Sequence, residues 1–97
     1  MSDPYFEAAQ EQWPNIRALY MTYMNKRPII LYDIQEKKIY AYPYKEFKAE
    51  LSRNSQASLE RDYKSACALG SVVVFVRDNV KRKLVSYIMR IDAMNIQ

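Results

Sequence analysis

The sequence predicts an α+β fold: a four-stranded antiparallel sheet made of two β-hairpins, separated by a helical segment and preceded by a kinked N-terminal helical arm. Three observations predict it. Apolar side chains near the N-terminus recur at helical spacing, two pairs of β-branched and aromatic runs flank polar turns, and a stretch with helical spacing lies between the pairs. The element order is therefore α-ββ-αα-ββ, and we expect the helices to cover one face of the sheet because that packing is economical.

Residues 1–27 form the predicted arm. Ser2 or Asp3 is expected to cap a first helix, because either side chain can accept bonds from free N–H groups and Pro4 suits the first turn. Pro14 then interrupts the helix, since proline has no N–H to donate. A second, amphipathic helix follows, with apolar residues at i, i+3, i+4, i+7 and i+8. These residues are Ile16, Leu19, Tyr20, Tyr23 and Met24.

Residues 29–42 are predicted to form the first hairpin. Two runs rich in β-branched and aromatic residues flank the polar turn QEKK, and Asp33 at the turn entrance is expected to bond nearby backbone N–H groups. Pro43 is unsuited to a central strand and favours a helix start. Ser55, within the polar break SRNSQ, is expected to cap a second helix, and one strongly bent helix is the alternative. The single glycine, Gly70, stands where a helix needs a left-handed residue to end.

The second hairpin is predicted from VVVFV and LVSYIMRI, two runs joined by a basic turn. VVVFV is apolar at every position, which indicates a strand covered on both faces. LVSYIMRI alternates, which indicates a strand with one richer apolar face. We therefore expect a single domain, with an α+β core over residues 28–92 and a flexible tail over residues 93–97.

Composition excludes several classes of site. Histidine is absent and Cys67 is the one cysteine, so a structural zinc site, a His-based catalytic triad and an intrachain disulfide are excluded. The acidic first residues lack the apolar core of a secretion signal, and no apolar run is long enough to span a bilayer. We therefore expect a cytoplasmic protein with no membrane association and no cofactor, and no small-molecule substrate is implied.

Two groups of residues could suggest an enzyme. Asp33, Glu46 and Lys48 match the D…ExK pattern of metal-dependent nucleases, whose carboxylates hold Mg²⁺. That chemistry needs Glu and Lys on one side of a strand, whereas residues two apart diverge on the helix predicted after Pro43. Cys67 lies on an apolar helix face near the helix C-terminus, where the local field opposes a thiolate. We therefore expect a solvated helix surface, an inert buried thiol, no metal site and no enzyme activity.

The net charge of +4 is unevenly distributed, with −2 over residues 1–25 and +6 over residues 26–97. Many cations fall at the two hairpin tips, and a joint patch beside exposed tyrosines would bind phosphates and stack bases. The tips meet at one end of the sheet if residues 44–69 form two antiparallel helices, and lie at opposite ends if they form one long helix. The other interpretation is that these cations only keep the sheet edges soluble. The candidate nucleic-acid-binding residues are Lys37, Lys38, Tyr40, Tyr42, Arg77, Lys81, Arg82 and Lys83.

The other candidate surface is the aromatic face of the second arm helix, because Tyr and Met suit adaptable interfaces. Its residues are Trp13, Ile16, Tyr20, Tyr23 and Met24. The alternative is that this face covers the sheet. We predict a small non-catalytic protein–protein interaction or regulatory module whose partner is another protein or, in a homodimer, a second copy of the chain. A nucleic-acid-binding module that uses the basic tips is the alternative function.

Overall fold

The computed structural model describes residues 3–91, so the predicted cap Ser2 and the predicted tail over residues 93–97 lie outside the described part. The described residues form an α+β fold in the predicted element order. None of the helices in this part is long and apolar enough to cross a membrane. The elements are α1 (Pro4–Glu11), α2 (Trp13–Thr22), a 3₁₀ turn (Met24–Lys26), β1 (Ile29–Asp33), β2 (Lys38–Tyr42), α3 (Tyr44–Ala49), α4 (Arg53–Leu69), β3 (Ser71–Asp78) and β4 (Lys83–Arg90).

Local signals at the N-terminus fold as the sequence predicts. Asp3 accepts hydrogen bonds from the backbone N–H groups of Tyr5 and Phe6, and so caps α1. Pro14 lies in the first turn of α2, where its missing N–H leaves no helical bond unmade. The N-terminal arm is therefore interrupted between α1 and α2, close to Pro14, as the sequence predicts.

The helical segment between the hairpins consists of two antiparallel helices. The rings of Tyr44 and Tyr63 stack with their centroids 4.0 Å apart. Lys48 Nζ lies 3.5 Å from a carboxylate oxygen of Glu60. A later residue of α3 thus contacts an earlier residue of α4, so the two helices are antiparallel. This is the first of the two arrangements that the sequence left open.

The ends of α4 are set by one predicted residue and one unpredicted residue. Gly70 ends the helix with a φ of 66°, the left-handed conformation that glycine adopts without strain. Ser52 begins it, because its hydroxyl oxygen accepts the backbone N–H of Ser55. The predicted cap Ser55 is thus wrong: it lies inside the first turn, whereas a capping residue needs the extended backbone that Ser52 has.

The strand order in the sheet is β2-β1-β3-β4. Both hairpins are antiparallel, as predicted, but β1 and β3 are parallel neighbours, with Ile30 beside Val74 and Asp33 beside Arg77. The sheet is therefore mixed, and the prediction of an all-antiparallel sheet is wrong. The cause is the antiparallel pair α3–α4, which returns the chain to the end of the sheet where β1 starts.

Helices cover both faces of the sheet, so the prediction that they lie on one face is also wrong. The first face packs against α1 and α2, and the second face packs against α3 and α4. Because β1 and β3 carry buried side chains on both sides, each needs cover on both faces, as the run VVVFV indicated. The buried first-face cluster is Ala9, Trp13, Ile16, Tyr20, Ile30, Tyr32, Val72, Val74, Val76 and Met89. The second-face cluster is Ile29, Leu31, Phe47, Leu59, Ala66, Val73 and Phe75.

The two halves of the chain repeat one arrangement on opposite faces of the sheet. Each half contributes two helices and then a hairpin whose first strand lies at the centre of the sheet. Both hairpin turns place an aspartate at the end of the first strand and a left-handed residue four positions later, Asp33 with Lys37 and Asp78 with Arg82. The two turn sequences, DIQEKK and DNVKRK, share the first aspartate, a cation four positions later and the final lysine.

The packing of α4 predicts which of its leucines stabilises the fold. Leu59 is 1% exposed, and Leu59→Ala should lower the free energy of unfolding by about 2–5 kcal/mol because a cavity is left against the second face. Leu69 lies on the same helix but is 61% exposed, so Leu69→Ala should change that free energy by less than about 0.5 kcal/mol. Urea unfolding followed by circular dichroism measures both, and equal losses would contradict this burial of α4.

Candidate functional site

The two hairpin turns lie side by side at one end of the sheet, because β1 and β3 are parallel neighbours. We call this end, residues 33–38 and 77–83, the turn end. It carries every cation that the sequence singles out for nucleic-acid contact. They are Lys37, Lys38, Arg77, Lys81, Arg82 and Lys83.

Asp33 lies buried at the end of β1 and joins the two turns. Its Oδ1 accepts the backbone N–H groups of Gln35 and Glu36, each at 3.0 Å. Its Oδ2 accepts hydrogen bonds from Arg77 Nη2 and Asn79 Nδ2, each at 2.9 Å. These bonds, with the Glu36 N–H foremost, hold the pKa of Asp33 below its usual range although burial opposes them.

Asp78 takes the equivalent position at the end of β3. Its Oδ1 accepts the backbone N–H groups of Val80 and Lys81 at 3.0 and 3.1 Å, and Gln35 Nε2 at 2.7 Å. Its Oδ2 accepts the hydroxyl of Tyr5 at 2.8 Å, which ties α1 to the sheet and is the main cause of the lowered pKa of Asp78. Each aspartate is thus bonded by the turn of the other hairpin, and we call the pair with its donors the aspartate clasp.

The clasp decides which cations of the turn end are free. Arg77 is engaged, because its guanidinium holds the Asp33 carboxylate. Within residues 33–38 and 77–83, Glu36 is then the one carboxylate outside the clasp, so cations outnumber it at the surface. The exposed cations are Lys37, Lys38, Lys81, Arg82 and Lys83.

The two tyrosines predicted to stack bases lie on β2 and not on the turns. Tyr40 and Tyr42 are half-buried on the second face, with ring centroids 6.0 Å apart. Tyr42 also packs on Phe47 at 5.8 Å, and the Tyr40 hydroxyl donates to Glu36 at 3.0 Å. The fold therefore gathers the cations without placing a free aromatic surface among them.

The predicted protein interface divides into core and surface. Trp13, Ile16 and Tyr20 are buried against the first face, because α2 lies on the sheet along its apolar side. Within this chain they belong to the core and are not available to a partner, which corrects their assignment to an interface. Tyr23 and Met24 remain at the surface, 48% and 44% exposed.

A groove of about 430 Å³ lies between the C-terminal end of α2 and the edge strand β2. Ile39 and Ala41 contribute the first-face side of β2, which is only half-buried, and the opposite side comes from Leu19 of α2 and from Tyr23, which follows α2. Lys26 is the one charged residue that lines it in the part of the chain that the structure describes. We call this feature the α2–β2 groove. Its lining residues are Leu19, Tyr23, Lys26, Pro28, Ile39, Tyr40, Ala41, Tyr42 and Pro43.

Sequence reasoning missed the α2–β2 groove. The available signal was the alternation of Ile39 and Ala41 with Tyr40 and Tyr42, which gives β2 two apolar faces. Two apolar faces on an edge strand leave one face partly open wherever the covering helix does not reach the edge. That outcome depends on the path of α2 across the sheet, which the sequence pattern does not specify.

The residues that could have suggested an enzyme do not converge. Asp33 belongs to the aspartate clasp, whereas Glu46 and Lys48 lie on helix α3, as the sequence predicts. Cys67 was expected to be buried, but it is only half-buried on α4. Within residues 3–91, no three His, Cys, Asp or Glu side chains are grouped so that they could hold a metal ion.

Comparison of the chain with protein-family models, with curated proteins and with solved structures finds no match. Its function is therefore inferred from the α2–β2 groove and the turn end.

The aspartate clasp predicts a large effect of a conservative change. Asp33→Asn should lower the free energy of unfolding by about 2–3 kcal/mol, because it replaces charge-assisted hydrogen bonds at a buried site. Glu46→Gln removes the same charge from an exposed position on α3 and should cost less than about 0.5 kcal/mol. Urea unfolding at pH 7 compares the two variants, and similar small losses would contradict a stabilising clasp.

The clasp also predicts a loss of stability in acid. Folding lowers the pKa of Asp33 and Asp78 below the ordinary 3.8, so their contribution is present above that pH and is lost as the pH falls through the folded-state value. The free energy of unfolding should therefore fall steeply below about pH 4. In Asp33→Asn the free energy of unfolding should fall less steeply below about pH 4 than in the wild type. Urea unfolding at several pH values measures both proteins, and parallel curves of unfolding free energy against pH would contradict the lowered pKa of Asp33.

Proposed function

We propose that this chain is a small non-catalytic interaction module that binds a partner protein in the α2–β2 groove. The observation that carries the proposal is an apolar groove that borders β2, which is an edge strand of the sheet formed by residues 3–91. Protein modules that recognise extended peptides combine these two features, because strand pairing supplies affinity and side-chain pockets supply specificity.

Two exposed apolar residues that directly follow α2 extend the proposed binding surface. Tyr23 both lines the groove and exposes half of its side chain, and Met24 follows it in the 3₁₀ turn. Tyr and Met are enriched in protein interfaces, where the ring gives rigid contact area and the thioether adapts to the partner. Tyr23 and Met24 are therefore the two residues of the sequence-predicted interface that remain exposed.

The opposite edge of the sheet is less suited to an apolar partner. A second groove, of about 330 Å³, runs between α4 and β4, but polar side chains make up much of its lining. Among them are Asn54, Ser58, Asp62 and Ser86, and the Ser86 hydroxyl already lies 3.4 Å from Asp62 Oδ2. The α2–β2 groove is therefore the better candidate.

What supports the non-catalytic part of the proposal is the state of the two buried acids whose pKa values are shifted. Asp33 and Asp78 have lowered pKa values, but their oxygens are occupied by turn N–H groups and side-chain donors. A general base needs a free oxygen within reach of a proton on the substrate. The hydrogen bonds of the clasp therefore explain the lowered pKa values of Asp33 and Asp78 by their structural role.

A peptide selection tests the proposed groove. Peptides selected from a random library on the wild-type chain should bind Tyr23→Asp at least about tenfold more weakly, because the charge disrupts an apolar contact. Met21→Asp is the matched control: Met21 lies in the last turn of α2, two residues before Tyr23, and is 38% exposed, but it does not line the groove. Fluorescence anisotropy measures the affinities. Peptides that bind both variants equally, or a selection that yields none, would contradict the proposal.

A second candidate function is nucleic-acid binding at the turn end, favoured by the parallel pairing that sets the two basic turns side by side. Neighbouring strands are about 4.8 Å apart, so the turns lie within about 15 Å of each other. Since Tyr40 and Tyr42 pack on the second face, phosphate contacts would carry the binding, without sequence preference.

Phosphate contacts predict a strong salt dependence. With up to five exposed cations at the turn end, log affinity for single-stranded RNA or DNA should fall with log salt at a slope as steep as about −3.5. Lys81→Glu with Arg82→Glu should weaken binding and flatten the slope, whereas Lys64→Glu with Arg61→Glu makes the same charge change on α4 and should do less. A flat salt response, or equal losses in both pairs, would contradict binding at the turn end.

A further inference from the structure

Cations stand near both ends of the strand β2. Lys26 lines the groove where α2 ends, and Lys37 with Lys38 lies at the other end of β2, where the first turn meets the strand. Among residues 3–91, no carboxylate lines the groove. The neighbouring acid Glu36 does not line the groove, and it accepts the Tyr40 hydroxyl at 3.0 Å. An extended partner beside β2 therefore meets Lys26 in the groove on the first face and Lys38 at the other end of the strand, where alternation with Tyr40 and Tyr42 places Lys38 on the second face.

The outer edge of β2 is open for pairing. Within residues 3–91, β2 pairs with β1 and with no other strand. Such an edge presents a row of N–H and C=O groups that can bond another extended chain. Side chains of an added strand alternate between the two faces, so every second one would lie beside Ile39 and Ala41 in the groove.

We infer that the partner segment is an acidic extended peptide that joins the sheet as an additional strand beside β2. The inference rests on the proposed function and names its partner class. The strand from Lys38 to Tyr42 spans about 14 Å, so about five to seven residues cover it. Apolar residues alternate along the central part of this segment, and a carboxylate near each end meets the cations.

A second copy of the chain fits this edge poorly. Pairing β2 with β2 of another copy in the antiparallel direction brings Lys38 of one copy to the end where Lys26 of the other lies. Pairing in the parallel direction places Lys38 beside Lys38. In neither direction does β2 of a second copy bring negative charge to these cations, because the strand KIYAY contains no carboxylate. An acidic segment of a different protein supplies the complementary charge.

The test uses the full chain and three synthetic peptides. The first has the sequence Glu-Glu-Val-Thr-Val-Thr-Val-Glu-Glu, the second replaces every Glu by Lys, and the third replaces both Thr by Pro. At low salt the first peptide should bind at least about tenfold more tightly than the second, and high salt should narrow the difference. The proline peptide should lose binding because it lacks the N–H groups that pair with a strand. Fluorescence anisotropy gives the affinities.

Charge reversal in the protein locates the effect. Lys26→Glu should weaken the acidic peptide about tenfold and strengthen the lysine peptide. Lys64→Glu makes the same change on the exposed surface of α4 and should alter neither affinity. Circular dichroism confirms that both variants fold, and backbone amides of β2 should gain protection from hydrogen exchange when the acidic peptide binds.

Several results would overturn the inference, and they separate it from the proposed function. Equal affinity for the acidic and lysine peptides, tolerance of proline, or no binding of any of the three peptides overturns strand addition by an acidic segment. A dimer that Tyr23→Asp dissociates overturns it in favour of a second copy. If library-selected peptides still depend on Tyr23, the interaction function stands while this partner class fails. If those peptides are indifferent to Tyr23, both fail.

Discussion

The parallel pairing of β1 and β3 is the constraint on which the rest of the structure depends. It makes both strands central, so each must bury side chains on two faces and needs helices on both. It also places β2 and β4 at the edges and brings the two hairpin turns to one end. Both candidate sites follow from it, since the α2–β2 groove needs an edge strand and the turn end needs two adjacent turns.

The aspartate clasp fixes this arrangement where the turns meet. Asp33 and Asp78 each take two N–H groups from their own turn and further donors from the other hairpin. Buried carboxylates are stable only when their oxygens are hydrogen-bonded, so the two turns stabilise each other. Arg77 belongs to the clasp through its ion pair with Asp33, whereas the lysines of the two turns are exposed to solvent.

Features set by neighbouring residues could be predicted from the sequence. The cap at Asp3, the interruption at Pro14 and the helix end at Gly70 depend on backbone chemistry within one turn. The direction of β3 could not be predicted, because it depends on whether residues 44–69 form one helix or an antiparallel pair. Contacts such as Tyr44 on Tyr63 decide that question, and they join residues far apart in the sequence.

The candidate sites also combine features set by local sequence with features set by long-range packing. Helical spacing correctly marked the apolar side of α2, but spacing does not say what covers that side, and Trp13, Ile16 and Tyr20 proved to be core. The sequence also assigned Tyr40 and Tyr42 to a surface beside the cations, whereas they pack on the second face. The groove arises because α2 leaves the first-face side of β2 half-open, which is a property of packing and not of local pattern.

The most direct test of the account is a measurement of β1–β3 pairing by nuclear magnetic resonance. Through-space contacts between backbone protons should follow the parallel register, from Ile30 with Val74 to Asp33 with Arg77. That result would place both turns at one end of the sheet and leave β2 as an open edge. Contacts in an antiparallel register, or none between β1 and β3, would contradict the fold and remove the basis of both candidate sites.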